Sequence, residues 1–304
     1  MWIRFAKDEG VMNLTVLKRS LKPFRWISLM TTYGLGAGLV QYVREVRQWS
    51  LFFEGLLFLL LVAISLELLR LLNDLTSPLH WPEGADFAGI KQIRVVIVIL
   101  IAILMTSATA IFLGWMVKKV MSQSLAFLVL GFFLVGILYF LTKNNRTFRS
   151  SQLIIESILF VIIPPAIAFF IQSNDFHRFL PLVVIGLVPA YLAYRILEQI
   201  TRFGEDQMLD RMTFVTQLGW EKAMTFHNGL ILLTFFLFAL ITLFRFPWFL
   251  VWPVFLSLPI GLLEIWLMER IRRGAKPFWR VMKFASALVF FLPIYLIGFT
   301  FWIR

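Results

Sequence analysis

Apolar residues run along this chain in long blocks, and polar residues fill the short gaps between them. Windows of roughly 20 apolar residues, the helix length that crosses about 30 Å of hydrocarbon, fall at 24–43, 51–72, 92–117, 124–142, 152–172, 179–197, 224–244, 247–268 and 281–302. The pattern predicts an all-α integral membrane protein, a single domain with nine transmembrane helices bundled over 24–302. Residues 1–23 set Arg4, Lys7, Asp8, Glu9, Lys18 and Arg19 around short apolar patches. They carry neither an h-region nor a small-residue cleavage site, so no secretory signal is expected. Leu14, Leu17 and Leu21 share one helical face and Lys18 and Lys22 another, as in a helix lying in the headgroup plane. A solvated basic tail fits the same residues.

Composition agrees with the blocks. The 304 residues are 60% hydrophobic and 15% charged, with a mean hydropathy of +0.84, whereas soluble domains are about half apolar and about a quarter charged. Charge then supplies a direction. With the N-terminus in the cytoplasm, nine spans put 1–25, 70–94, 143–150, 195–222 and 270–283 on the cytoplasmic side, and those segments hold 22 of the 29 Lys and Arg. Arg44, Arg47, Lys118, Lys119, Arg178, Arg245 and Arg304 remain outside, the asymmetry that the positive-inside rule requires. The expected location is the cytoplasmic membrane of a prokaryote. A net charge of +12 calls for no nucleic-acid partner, because basic loops facing anionic lipid account for it. The absence of cysteine excludes thiolate metal sites, disulfides and cysteine nucleophiles.

The acidic residues say more than the basic ones. On the expected cytoplasmic side, apart from Asp8, Glu9 and Glu269, they gather in two loops: Asp74, Glu83 and Asp86 after the second span, and Glu198, Glu205, Asp206, Asp210 and Glu221 after the sixth. Four spans separate the loops, an even number that returns the chain to the same face and lets both converge on one site. Carboxylates meeting at a membrane surface beside Lys and Arg suit a diphosphate held through Mg²⁺, which takes one or two carboxylates and completes its shell with phosphate oxygens. Acids that merely balance basic loops would look the same.

Three stretches then point to a family. "LLNDLTSP" at the end of the second span, "LYFLTKNNRTFRSSQLIIES" after the fourth and "LEQITRFGEDQMLDRMTFVTQLGWEKA" after the sixth resemble the UbiA-type intramembrane prenyltransferases, over nearly the whole chain. Asn73-Asp74 matches the start of that family's first aspartate motif, and Asp206 the second aspartate of the other. Thr213 and Leu218-Gly219 match its trailing residues, and Lys143 follows Tyr139 as a lysine follows a tyrosine in the family. The departures are Ser77 and Trp81 where two further aspartates stand, with Glu83 and Asp86 as the only nearby substitutes, and Arg202 in place of the first aspartate of the second motif.

The resemblance implies transfer of a prenyl group from a polyprenyl diphosphate to an apolar, aromatic acceptor of the quinone-precursor kind. On the residues present, Asp74 and Asp206 with Glu198 would hold the Mg²⁺ that the resemblance implies, with Asp74 and Asp206 catalytic, and Asn73, Lys143, Arg202 and Arg94 would hold the diphosphate. Ionising an allylic diphosphate needs such charges preorganised around the leaving group at a partly dry site. Two other readings stay open: a UbiA-like protein that binds prenyl lipid without turnover, and a transporter with a carboxylate relay.

Four carboxylates fall within predicted spans: Glu54, Glu67, Glu156 and Glu264. Charge at that depth is costly. Glu67, two helical turns before Asp74, is placed to line a cavity beneath the diphosphate; Glu54, Glu156 and Glu264 lie near enough to helix ends to snorkel to water. "GLGAG", Gly34 to Gly38, sits inside the first span, where close helix packing through Gly34 and Gly38 is expected rather than a phosphate loop. His80, His177 and His227 match no metal-ligand spacing.

Overall fold

A bilayer offers no water to backbone N–H and C=O groups, so a chain this apolar must satisfy them internally, in helices. The computed structural model describes residues 23–44, 48–76, 87–144, 151–208 and 211–303, and every regular element among them is helical. In chain order the helices are α1 (Pro23–Arg44), α2 (Trp49–Thr76), α3 (Phe87–Val117), α4 (Gln123–Asn144), α5 (Gln152–Ser173), α6 (Phe179–Ile200), the short α7 (Phe203–Met208) and α8 (Phe214–Leu218), α9 (Trp220–Ile241), α10 (Trp248–Arg272) and α11 (Trp279–Ile303).

Eight of these, α2 to α6 and α9 to α11, are long and apolar enough to cross a membrane. They coincide with the eight windows expected from 51–72 onward. The window 24–43 also forms a helix, α1, of 22 residues, but it falls short of the apolarity of the others. Its position explains why. Residues 35–40 of α1 are buried without interruption, and α1 packs against α2, α5 and α11. A helix surrounded by protein has little lipid to match, and small and polar residues serve it better. The expected interfacial segment, 1–23, lies outside the described residues except for Pro23, which opens α1.

Close approach is built into α1. A Cβ at Gly36 would stand 2.2 Å from the Pro165 carbonyl oxygen of α5, and one at Gly38 would stand 2.8 Å from Trp302 Nε1 of α11. The contact glycines are therefore Gly36 and Gly38; Gly34 has open space at its Cβ position and instead offers its carbonyl to Trp302 Nε1–H at 3.1 Å. Opposite Gly36, α5 is irregular, with a π-helical turn at Ile158–Ile162 ahead of Pro164 and Pro165. Pro164 has no N–H to give the Phe160 carbonyl four residues earlier. The Thr32 hydroxyl of α1 donates to that carbonyl at 2.9 Å, so the neighbouring helix satisfies what proline leaves open.

The remaining helices complete the bundle. The α6 helix packs against α9 and α11, α10 against α9 and α11, and α4 against α2 and α5. The α3 helix packs chiefly on α2, through Ile90 and Ile97 against Leu68, Leu71 and Leu75.

Candidate functional site

At the end of the bundle where α1 and α5 begin and α2, α4 and α6 finish, the interior is charged. Arg25, the third residue of α1, donates through one Nη to Glu67 of α2 and through the other to Glu156 of α5, both at 2.6 Å. The second oxygen of Glu156 accepts from Arg195 Nε of α6 at 2.8 Å, and Gln152 reaches the first at 2.7 Å. Tyr139 of α4 donates its hydroxyl to Glu67 at 2.7 Å. Arg70 of α2 donates to the Tyr139 carbonyl at 2.7 Å and lays its guanidinium over the Tyr139 ring, 3.2 Å from the centroid. Five helices thus meet in one network. Arg25, Glu67, Arg70, Tyr139, Glu156 and Arg195 are all buried, an arrangement that survives loss of hydration only because opposite charges and hydrogen bonds replace the water.

The network extends toward the helix ends. Arg195 also pairs with Glu198 one turn on, and Arg202 approaches Glu198 at 3.7 Å. Asp206, on α7, is buried and has Arg211 at 4.0 Å. Of the residues expected from sequence, the structure brings Glu198 and Arg202 together. Asn73 and Asp74 lie one turn beyond Arg70, in the last turns of α2; the Asp74 side chain is outside the described residues. The same holds for the side chain of Lys143, near the end of α4, and for the whole of Ser77, His80, Trp81, Glu83 and Asp86. Arg94 stands apart from the network, on α3, beside Leu72 of α2.

The trailing motif residues have a mechanical role. Thr213 caps α8: its hydroxyl accepts from the Thr216 N–H at 3.2 Å, while its own N–H donates to the Thr216 hydroxyl at 2.6 Å. Gly219 joins α8 to α9 with φ of 85°, in the left-handed region that a side chain would oppose. Together they turn the chain from the α7 acids back into the bundle.

Two expectations need correction. Glu156 and Glu264 do not snorkel: both are 0% exposed. Each lies near a helix end, but on a face turned to protein, where a basic partner is nearer than water. Glu156 has Arg25 and Arg195; Glu264 of α10 has His227 of α9 at 3.0 Å. Glu67 does not line an open cavity, because Arg25 and Tyr139 fill its surroundings. Glu54 does sit at the rim, bonded to the exposed Lys118 at 2.6 Å and to Trp115 Nε1 at 3.1 Å. Arg25, Arg70 and Arg195, counted in the sequence as cytoplasmic boundary charges, are the residues that sequence reasoning missed. The signal was present, since carboxylates at Glu67 and Glu156 inside spans require cations at matching depth.

Among the described residues no group of three or more His, Asp or Glu could hold a metal ion. Glu198 faces two guanidiniums rather than other acids, and Asp206 faces Arg211. The third expected ligand, the Asp74 side chain, lies outside the described residues. No family model and no curated protein matches the chain.

Proposed function

We propose that the protein is a divergent intramembrane prenyltransferase of the UbiA type, crossing the cytoplasmic membrane of a prokaryote nine times with its N-terminus inside. It moves a prenyl group from a polyprenyl diphosphate to an apolar, aromatic acceptor. The observation that supports this reading is the set of buried guanidiniums, Arg25, Arg70 and Arg195, directly beneath the helix ends that carry Asn73-Asp74 and Glu198 to Asp206.

In such a transfer the bond from the allylic carbon to the diphosphate oxygen breaks, a bond to an acceptor carbon forms and the acceptor loses a proton. Negative charge grows on the leaving group, and fixed cations in a dry region lower its energy most. Lys143 and Arg202 are the groups proposed to touch the diphosphate oxygens, with Asn73 as a neutral donor. Arg25, Arg70 and Arg195, balanced by Glu67, Glu156 and Glu198, act by fixing the helix ends that carry those groups. Asp74, Asp206 and Glu198 are the residues that would hold Mg²⁺, which would add positive charge beside the leaving group.

One observation favours a second reading. Glu67, Glu156 and Glu198 already pair with Arg25 and Arg195, which suits a protein of the same fold that binds prenyl lipid without turning it over. Binding by purified protein separates both readings from a transporter. A prenyl diphosphate should bind tighter than the corresponding prenyl alcohol, and EDTA should weaken that binding without abolishing it. Equal binding of diphosphate and alcohol would overturn the proposal.

A further inference from the structure

Most of α3 lies outside the bundle, with only 11% of its span buried. Beside its seam with α2 opens a cleft of about 580 Å³, walled by Leu72 of α2 and Val95, Val98 and Ile99 of α3. Lys91 and Arg94 also line that cleft, with Ile90 beside them, near the start of α3. Neither has a hydrogen-bond or ion-pair partner among the described residues, unlike Lys118 with Glu54 or Arg202 with Glu198.

We infer that this cleft holds a bilayer phospholipid with an anionic headgroup, its phosphate on Lys91 and Arg94 and an acyl chain along Leu72, Val98 and Ile99. Three features fit that occupant together. The two cations have no acidic partner among the described residues, so they select net negative charge. The apolar lining, Leu72 with Ile90, Val95, Val98 and Ile99, runs past both cations and continues more than a turn beyond Arg94, so one molecule can meet charge and apolar surface together. Val95, Val98 and Ile99 are exposed on a helix long and apolar enough to cross a membrane, so an acyl chain is the ordinary neighbour of that wall. A water-soluble anion would use the cations and leave the wall uncovered, and a zwitterionic lipid would bring its own cation to Lys91 and Arg94. The assignment takes Arg94 out of the expected diphosphate set and leaves Lys143, Arg202 and Asn73 in it, so it can fail without the prenyl-transfer proposal.

The test is native mass spectrometry of the detergent-purified full chain, titrated with phosphatidylglycerol or phosphatidylcholine. Phosphatidylglycerol should be retained preferentially. The double variant Lys91→Gln, Arg94→Gln should bind it roughly thirtyfold less well, the sum of about 1 kcal/mol for each basic residue near a headgroup. Val98→Trp keeps both cations and fills the cleft at an exposed position, so it should reduce retention by tenfold or more while the protein's melting temperature is held. Equal retention of the two lipids, unchanged binding by the double variant, or release of phosphatidylglycerol by inorganic phosphate alone would each overturn the inference. Release by prenyl diphosphate but not by added phosphatidylglycerol would overturn it too, by assigning the cleft to substrate.

Discussion

Glu156 of α5 accepts from Arg25 of α1 at 2.6 Å, through the oxygen opposite the one that meets Arg195 of α6, so one carboxylate ties three helices together. Removing it leaves Arg25 with Glu67 alone and Arg195 with Glu198 alone, in a buried cluster that then carries excess positive charge. Glu156→Ala is expected to lower unfolding free energy by about 3–5 kcal/mol, the usual cost of breaking a buried pair from one side. Glu156→Gln, which keeps shape and loses charge, should fall between Ala and wild type. Thermal unfolding in detergent checks both, and an unchanged melting temperature for Glu156→Ala would show that the network carries no stability.

The proline site in α5 makes a coupled prediction. Thr32→Val removes the hydroxyl that satisfies the Phe160 carbonyl and should cost about 1–3 kcal/mol, as for a buried acceptor left unpaired. Pro164→Ala returns an N–H at the position able to reach that carbonyl. In the Thr32→Val background it should recover part of the loss, and a double variant less stable than Thr32→Val alone contradicts the pairing.

Membrane orientation is open to chemical labelling because the chain has no cysteine. Single cysteines at Ser77, Ser150 and Thr213 should react with impermeant thiol reagents from the cytoplasmic side only, and one at Ser173 from the opposite side only. Labelling of the Ser77→Cys and Thr213→Cys variants from different sides would separate the two acidic loops and remove the basis of a shared site.

The displaced acids can be tested directly. Glu83→Gln or Asp86→Asn should lower prenyl transfer if these residues stand in for the aspartates absent at Ser77 and Trp81. Wild-type rates in both variants would confine the first motif to Asn73-Asp74.

The long helices were legible because period and length speak plainly in a membrane chain: eight windows became eight apolar helices. The α1 helix was legible as a helix, but its burial was not, since small and polar residues lower apolarity whether a helix meets protein or water. The network was half legible. Glu67 and Glu156 announced themselves as charges within spans, and Tyr139 stood out in the fourth. Arg25, Arg70 and Arg195 sit where spans meet loops, and there a sequence does not tell a guanidinium turned inward from one turned to lipid headgroups. Gly36 was passed over for Gly34 and Gly38 because regular small-residue spacing does not reveal which side a proline-distorted neighbour approaches.

The central claim is prenyl transfer, and the most direct measurement is incorporation of a labelled polyprenyl diphosphate into lipid-soluble aromatic product by membranes containing this chain. Wild type should form product, and Asp74→Asn and Asp206→Asn should each lower turnover about a hundredfold or more, as loss of a preorganised electrostatic group does. Extracted yield and melting temperature, measured beside the rates, separate lost chemistry from lost fold. Absence of product from wild type with every aromatic acceptor tried, together with Asp74 and Asp206 variants that bind prenyl diphosphate as wild type does, would contradict the enzyme and leave the acidic loops as surface electrostatics.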